Sequence, residues 1–293
     1  MFDFQENVPL KNYTSLKVGG PAEFFFQPTN VEELKTAVVW AKLHSQKITL
    51  LGGGTNTLVC DEGVKGLVLC MRKFSGVESK IENNKVYITA KAGSPKTLLL
   101  KEFIKYKLAP AEFLAGLPGD IAGGVVMNAG IGEGIQPREF CEIIDWVEVL
   151  RDSQLVRVPA SDIQFTYRNS KGWQPGIIVA VGFVWPHQED AQVMERVKNL
   201  NRSRLAKQPL ELPNAGSVFV NPPGYKSGQL IESCGLKGFR IGDAMVSEKH
   251  ANFIVNVGDA KATDVLQLIK HIQDEVLEHK GVSLHPEWKL VGF

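Results

Sequence analysis

The sequence predicts an α+β protein in two units, and three observations support this. Strand-like runs and amphipathic helical runs are interspersed along the first 190 residues. The glycine run Gly52 to Gly54 is followed by further strand-like sequence, where a Rossmann domain would place a long helix. After Pro186 the sequence changes to a charged amphipathic helix, which indicates a boundary. We therefore expect a first region at 1–190, with subdomains at about 1–70 and 71–190, and a C-terminal domain at 191–293.

The first subdomain begins with a predicted helix and a buried strand. Thr29 and Glu32 have the spacing of a capping box, and apolar residues then recur at helical spacing to about His44. The run KITLL (47–51) predicts a buried strand directly before the glycines. The run NTLVCDEGVKGLVLCM (56–71) is β-rich and is broken by turn residues at 61–63. The glycines therefore connect two strands.

The second subdomain contains three strand signals and one helix signal. KVYITAKAG (85–93) predicts a strand, and a helix should follow with Ser94 as its cap and Pro95 in its first turn. WVEVLRDSQLVRV (146–158) predicts two strands joined by a turn at Asp152 and Ser153. GIIVAVGFVW (176–185) is typical of a buried strand.

The C-terminal unit is predicted to begin and end with helices. The charged run at 189–209 is amphipathic and ends at Pro209. The last helix should extend from Ala262 to His279 and stop at Gly281. Its apolar face is formed by Val265, Leu268, Ile269, Ile272 and Val276.

The composition predicts a cytoplasmic protein that binds neither nucleic acid nor membrane. The 293 residues carry a formal net charge of +1, so no overall field attracts an anionic partner. No apolar run approaches the roughly 20 residues that cross a bilayer, and the amino terminus lacks the features of an export signal. The four cysteines are far apart, which favours reduced thiols over disulfides. His271 and His279 lack a zinc-binding spacing, so we expect no metal.

A second glycine cluster lies between Ala115 and Gly134, with seven glycines in twenty residues. Glycine allows positive φ and lets backbone N–H groups approach a ligand closely. Successive N–H groups that point the same way bind phosphate oxygens without a lysine. Each loop alone is equally typical of a tight turn. Together, with Asn56 and Asn128 nearby, the two loops predict a site that holds one pyrophosphate from two sides.

Six motifs occur in one order between about Asn12 and Gly292: YTSLKVGGPAEFF, GGGTNTLV, GLPGDIAGGVVMNAG, FTYRNS, NAGSVFVNP and HPEWKLVG. Together they resemble the UDP-N-acetylenolpyruvoylglucosamine reductase family of peptidoglycan synthesis. The resemblance implies a non-Rossmann FAD-binding domain of the vanillyl-alcohol-oxidase (PCMH) type and a C-terminal α/β substrate domain. It implies non-covalent FAD, held by the two glycine loops. The implied cofactor contacts are Gly52, Gly53, Gly54, Thr55, Asn56, Gly116, Pro118, Gly119, Gly123 and Asn128.

The implied reaction uses NADPH and FAD to reduce UDP-N-acetylglucosamine enolpyruvate to UDP-N-acetylmuramate. Hydride added to the outer vinyl carbon leaves negative charge beside the carboxylate, so the site needs a cation or acid and a proton donor. By the resemblance, Arg168 holds the carboxylate, Ser217 donates the proton to carbon, and Glu287 polarises the developing enol. Taken singly, these residues are more typical of a surface ion pair, a turn residue and a solvated charge, because most polar residues are simply exposed.

The resemblance also implies substrate contacts from Tyr167, Lys207 and Asn221. Lys207 has a second interpretation, because a cation at a helix C-terminus interacts favourably with the helix dipole. Asp120 departs from the family pattern of Ser or Thr, and its charge would repel a pyrophosphate unless the side chain points away.

Two further departures concern chain segments. The run AGIGEG (129–134) lacks a usual tyrosine, which affects a predicted flavin contact. The run from Arg168 to the next strand leaves no room for the extra substrate-covering loop of longer family members. The chain is therefore expected to belong to the shorter class and to act as a monomer.

Two alternative functions fit parts of the pattern. An FAD-linked oxidase of a sugar or alcohol could share the fold, although the only nearby candidate for a covalent flavin tether is Cys60. A non-catalytic nucleotide-sugar binding protein would not require Arg168, Ser217 and Glu287 together.

Overall fold

The computed structural model describes residues 4–131 and 135–293. In chain order the strands are β1 (Gln5–Pro9), β2 (Pro21–Phe26), β3 (Ile48–Leu51), β4 (Thr57–Val59), β5 (Val64–Cys70), β6 (Val77–Glu82), β7 (Lys85–Lys91), β8 (Ile144–Arg151), β9 (Gln154–Pro159), β10 (Gln164–Thr166), β11 (Asn169–Lys171), β12 (Ile177–Pro186), β13 (Asn214–Ser217), β14 (Arg240–Ile241), β15 (Ala244–Val246), β16 (Phe253–Asn256) and β17 (Lys289–Val291). The helices are α1 (Val31–Leu43), α2 (Lys96–Lys105), α3 (Pro110–Ala115), α4 (Ile121–Val126), α5 (Val193–Lys207), α6 (Ser227–Ser233) and α7 (Ala262–Lys280).

The first sheet has the strand order β1-β2-β5-β3, with β5 parallel to both β2 and β3. Helix α1 packs on this sheet because Leu34, Ala37 and Ala41 form its buried face. Strand β3 ends directly before Gly52, and β4 follows the glycines as predicted. The first glycine loop therefore lies at the carboxyl end of a parallel strand, a common position for ligand sites.

The predicted capping box of α1 was wrong by one residue. Asn30 is the N-cap, and its side chain accepts a hydrogen bond from the Glu33 backbone N–H at 3.0 Å. Glu33 in turn accepts from the Thr29 backbone N–H at 2.7 Å. Asn30 and Glu33 have the same three-residue spacing as Thr29 and Glu32, so the sequence admitted both positions.

The second sheet is antiparallel, with the order β6-β7-β12-β8-β9. Residues of α2, α3 and α4 are buried in the same core as β7, β8 and β12. The predicted turn between β8 and β9 is confirmed, because Asp152 and Ser153 have φ values of 47° and 63°. The predicted Ser94 cap of α2 was wrong: Pro95 is the N-cap, and the Ser94 hydroxyl bonds both backbone groups of Gly76 instead.

The C-terminal sheet has the antiparallel order β13-β16-β15-β14. Helix α7 packs on this sheet, and all five residues of its predicted apolar face are buried. It ends at Gly281, whose φ of 66° matches the predicted left-handed stop. Helix α5 packs elsewhere: Val193 and Val197 belong to the core of the second sheet.

The C-terminal strand returns to the start of the chain. Strand β17 pairs in parallel with β4, which follows the first glycine loop. The chain segment that carries Glu287 is thereby placed beside that loop. No helix among the described residues is long and apolar enough to cross a membrane.

Candidate active site

A cavity of about 1540 Å³ lies between the two glycine loops, the β10–β11 hairpin and the C-terminal unit. Most of the predicted site residues line it: Gly52, Gly53, Gly54, Thr55, Asn56, Gly116, Pro118, Gly119, Gly123, Tyr167, Arg168, Ser217, Asn221 and Glu287. Residues from distant parts of the chain therefore meet at one site.

The first glycine loop is held in a conformation that only glycine accepts easily. Gly54 has a φ of 64°, and a Cβ there would collide with the Tyr13 carbonyl oxygen. The Arg72 guanidinium donates to the carbonyl oxygens of Gly53 at 2.8 Å and Tyr13 at 2.7 Å. These contacts fix the orientation of the peptide groups in the loop. The absence of side chains leaves room for a ligand to approach the backbone.

The second glycine loop leads into α4 and contains Asp120. The Asp120 carboxylate accepts from the Gly123 N–H at 2.8 Å, which caps α4, and from the Gly53 N–H at 2.6 Å. The side chain is only 7% exposed. Asp120 therefore does not point away from the loops but bridges them, and it occupies two of the predicted phosphate donors.

Arg168 lies in the turn between β10 and β11 and has a φ of 58°, unusual for a residue with a side chain. Its Nη2 donates to the Gly130 carbonyl oxygen at 3.0 Å. Its Nε lies 3.4 Å from Oε1 of Glu287, and both side chains are more than four-fifths buried. Among the described residues, Arg168 Nε and Nη1 are buried without a hydrogen-bond partner. A buried guanidinium with unused donors is suited to binding an anion.

Glu287 is positioned by backbone contacts just before β17. Its N–H donates to the Val218 carbonyl oxygen at 2.7 Å, and the Asn56 side chain donates to its carbonyl oxygen at 3.2 Å. Burial raises the pKa of Glu287, and the positive charge of Arg168 opposes this shift. The carboxyl group therefore retains its proton to a higher pH than an exposed glutamate.

Ser217 is the last residue of β13, paired with Phe253 of β16. The start of this strand is joined to the first glycine loop by Ser15, whose hydroxyl contacts the carbonyl oxygens of Asn214 at 2.7 Å and Gly54 at 3.1 Å. Ser217 lies three residues after Asn214, at the other end of the same strand. Pairing of its backbone with β16 thus holds Ser217 at the cavity wall, near the first glycine loop.

Two residues that were predicted to contact a ligand do not line the cavity. Asn128 is fully buried; its side chain bonds the Cys141 N–H and the Glu139 carboxylate, so it supports the loop from behind. Lys207 is exposed at the end of α5 and is not among the described residues that line the cavity. Asn221 lines the cavity and also accepts from the Ser227 N–H at 3.0 Å.

Six basic residues of the cavity wall were missed by the sequence interpretation: Lys17, Lys96, Arg138, Arg204, Lys226 and Lys289. Arg204 donates to the Ala115 carbonyl oxygen at 2.9 Å and lies one turn before Lys207 on α5. Lys226 is near Asn221 in the chain. Burial lowers the pKa of Lys96 to about 8. From the sequence, only Arg204 could have been suggested, because it lies three residues before Lys207 on the same predicted helix.

The end of the second glycine loop, Cys60 and metal binding are the subjects of the remaining predictions for the site. Gly132 to Gly134, which complete the loop lacking the usual tyrosine, lie outside the described residues. Cys60 is buried, and its thiol donates to the Gly63 and Gly292 carbonyl oxygens at 2.9 Å. Within the part of the chain that the structure describes, no group of three or more His, Cys, Asp or Glu side chains is placed to hold a metal ion.

Two family models match the chain. One, described as an FAD binding domain, matches residues 22–158; the other, described as the C-terminal domain of UDP-N-acetylenolpyruvoylglucosamine reductase, matches residues 208–291. The UDP-N-acetylenolpyruvoylglucosamine reductase of Synechococcus elongatus is 42% identical over 98% of this chain and 94% of its own length. That of Pediococcus pentosaceus is 38% identical over the same shares.

Solved structures agree with these matches. The crystal structure of the reductase from Thermus caldophilus has a TM-score of 0.80 and 34% identity, and the match covers 99% of this chain and 100% of that one. The berberine-bridge-enzyme-like protein 1 of Physcomitrella patens shares the fold, with a TM-score of 0.55 at 14% identity over 92% of this chain and 84% of its own. The predicted fold class and FAD cofactor are confirmed. The chain belongs to the UDP-N-acetylenolpyruvoylglucosamine reductase family.

Proposed function

We propose that this chain reduces UDP-N-acetylglucosamine enolpyruvate to UDP-N-acetylmuramate with NADPH, and that Arg168, Ser217 and Glu287 carry the reaction. The observation on which this rests is the buried Arg168 guanidinium, with two nitrogens lacking partners among the described residues, beside Glu287. FAD, when bound, takes hydride from NADPH and passes it to the vinyl double bond. The glycine loops fit this cofactor, because they form a cradle that side chains would fill.

Arg168 binds the carboxylate of the enolpyruvyl group. Nη1 is buried without a hydrogen-bond partner among the described residues, and a substrate carboxylate can accept from it while Nε faces Glu287. The bond from Nη2 to Gly130 holds the guanidinium in place. Its charge also stabilises the enolate that develops on the substrate as the double bond is reduced.

Ser217 donates the proton that completes the reduction at carbon. A hydroxyl is a weak acid in water, but a carbon beside a carboxylate becomes strongly basic when negative charge develops on it. The position of Ser217 at the end of β13 limits its movement, which supports a role that requires fixed geometry.

Glu287 acts as a neutral acid that hydrogen-bonds to the developing enol. Burial raises its pKa, so more of the carboxyl group is protonated near neutral pH than in water. The adjacent Arg168 limits this effect and keeps the two groups in contact. Tyr167, Asn221 and Lys226 are available for the rest of the nucleotide sugar, since all three line the cavity.

We infer that the protein acts in the cytoplasm in peptidoglycan synthesis, and through it in cell shape and division, and that it works as a monomer. The match of the chain to the reductase family supports the part in peptidoglycan synthesis. The oxidase alternative is weakened by Cys60, whose buried thiol bonds carbonyl oxygens and is not free to tether a flavin.

The test is an anaerobic spectroscopic titration of the purified protein. The flavin absorbance should bleach on addition of NADPH and return on addition of UDP-N-acetylglucosamine enolpyruvate, and denaturation should release free FAD. Reoxidation by oxygen with no response to the vinyl ether would favour an oxidase. Binding of the nucleotide sugar without any return of colour would favour a non-catalytic binding protein.

A further inference from the structure

Lys96 and Asp120 are two buried, oppositely charged residues at the glycine loops. Their side chains are 4% and 7% exposed, and both residues line the cavity. Neither glycine loop carries a cation in its own sequence. Lys96 comes instead from the start of α2, more than twenty residues before Asp120.

Lys96 is brought to the second glycine loop by backbone pairing. Its N–H donates to the Gly119 carbonyl oxygen at 3.0 Å, and the Ile121 N–H donates to the Ser94 carbonyl oxygen at 2.9 Å. The side chain then runs beneath the loop, where Nζ donates to the Pro118 carbonyl oxygen at 2.7 Å. The ammonium group is therefore held against the loop that precedes α4.

The space around the Lys96 side chain is restricted. Nζ lies 5.6 Å from the centre of the Phe140 ring, and a Cβ added at Gly124 would come within 2.9 Å of Lys96 Cε. The side chain therefore has little freedom to leave this position.

Asp120 places a negative charge between the same two loops. Its two carboxylate oxygens accept from Gly53 in the first loop and Gly123 in the second, so it joins the loops that are to hold an anionic cofactor. An anion beside a pyrophosphate is repulsive unless a cation offsets it, and the effect is strong where water is excluded. Two cations contact the loops: Arg72, which is exposed, at carbonyl oxygens of the first loop, and Lys96, which is buried, beneath the second.

We propose that Lys96 is the cation of the FAD pyrophosphate site, and that it allows Asp120 to brace the two glycine loops without repelling the phosphates. This inference rests on FAD binding in the proposed function. Asp120 stays bonded to Gly53 and Gly123, and the phosphates use other backbone donors of the loops. Lys96 is a positioning and binding residue; it takes no part in proton or hydride transfer.

The protonation of Lys96 supports this assignment. Burial lowers its pKa to about 8, and the negative charge of Asp120 opposes the shift. Of the elements packed against Lys96, α4 carries no charged residue, and the Phe140 turn carries Glu139 and Glu142, whose carboxylates bond Asn128 and backbone N–H groups. A bound pyrophosphate would favour charged Lys96, so FAD binding should take up protons and weaken as the pH rises above about 8.

The test is a double-mutant cycle on FAD affinity, measured as quenching of flavin fluorescence by apoprotein. Lys96→Met should weaken FAD binding by about tenfold or more, because Asp120 then lacks its counter-charge. Asp120→Ser keeps a side chain that can cap α4. In the Asp120→Ser variant, Lys96→Met should weaken FAD binding much less than it does in the wild type. Lys101→Met is the matched control, since Lys101 is exposed on the same helix and should leave the affinity unchanged.

The outcomes separate the two proposals. Failure of the wild-type protein to bind FAD would overturn the proposed function. Two results would overturn only the role of Lys96. In the first, the wild type and Lys96→Met bind FAD equally. In the second, Lys96→Met weakens FAD binding by the same factor in the wild type and in the Asp120→Ser variant. If Lys96→Met does not fold, calorimetry of the wild type at pH 8.5 in buffers of different ionisation enthalpy decides the matter: proton uptake supports the inference, and no uptake contradicts it.

Discussion

Individual side chains in the cavity have surroundings that match distinct chemical tasks. Arg168 is a buried cation with donors to spare, Glu287 beside it has a raised pKa, and Ser217 ends a strand that is tied to the first glycine loop. The three residues lie far apart in the chain and line one cavity. Each assignment of a role remains a prediction that a single substitution tests.

Ser217→Ala should separate the two halves of the reaction. Reduction of the bound FAD by NADPH needs no proton on carbon, so its rate should be almost unchanged. Reoxidation by the substrate should slow by about 10²- to 10⁴-fold, the usual share of a general acid. Stopped-flow absorbance measures both steps on one preparation, and the first step serves as the control. Equal slowing of both steps would mean that Ser217 supports the cofactor loop and donates no proton.

Glu287 should set the alkaline limit of activity. Its raised folded-state pKa means that the proton is lost at a higher pH than in water, so kcat/KM should fall as the pH rises through that pKa. Glu287→Gln cannot ionise and should remove this fall while lowering the maximum rate. The measurement is kcat/KM against pH for both proteins. An unchanged alkaline limb in the variant would assign that limb to another group.

At the scale of elements, the short connections carry more of the site than the helices and strands do. The first glycine loop follows β3, Arg168 lies in the β10–β11 turn, and Glu287 precedes β17. The regular elements fix where these connections meet. Backbone conformation inside the connections is therefore as important as side-chain identity.

Gly54→Ala tests the first loop against a matched control. Gly54 and Gly281 have φ values of 64° and 66°, but a Cβ would strike the Tyr13 carbonyl oxygen at Gly54 and meets no described atom within 4 Å at Gly281. Gly281→Ala should lower the free energy of unfolding by about 1–2 kcal/mol, the cost of the left-handed conformation. Gly54→Ala should lower the free energy of unfolding by clearly more, and it should also weaken FAD binding. Urea unfolding measures the free energy of unfolding of both variants. Equal decreases in the two variants would show that the first glycine loop adjusts freely to a side chain.

At the scale of the whole molecule, the cavity joins both ends of the chain. Strand β17 pairs with β4, and the C-terminal core includes Leu16, Val18 and Leu58 from the first region. The boundary at residue 190 remains a prediction. The packing of Val193 and Val197 with the earlier core favours one nearer Gln208, where the matched C-terminal domain begins.

Bound FAD should stabilise the entire fold, because the cavity wall includes residues of both regions. Free FAD at a hundredfold excess over its Kd should raise the free energy of unfolding by about 2.7 kcal/mol. Riboflavin at the same concentration should stabilise far less, since it lacks the pyrophosphate that the glycine loops bind. Thermal unfolding of the apoprotein with each ligand makes the comparison. Equal stabilisation by both would place the main binding energy outside the glycine loops.

Local sequence patterns alone determined many of the longer regular elements. The apolar face of α7 and its end at Gly281, the β8–β9 turn and the strand before the first glycine loop were all predictable. Helical periodicity, turn propensity and capping depend on residues within about four positions of each other, so a short window contains the necessary information. The family motifs extended this to FAD and the reaction, since their order and spacing are specific.

The tertiary structure alone decided which polar residues meet. Asn128 and Lys207 matched motif positions, yet one supports the loop from behind and the other is exposed on α5. Lys96 matched no motif, yet pairing of its backbone with Gly119 places it beneath the second glycine loop. Asp120 was expected to repel a pyrophosphate unless its side chain points away, and the structure shows that the carboxylate points toward both loops and joins them. Apart from the bond between Asp120 and Gly123, these contacts link residues more than ten positions apart, and only the packing of the sheets and helices brings such residues together.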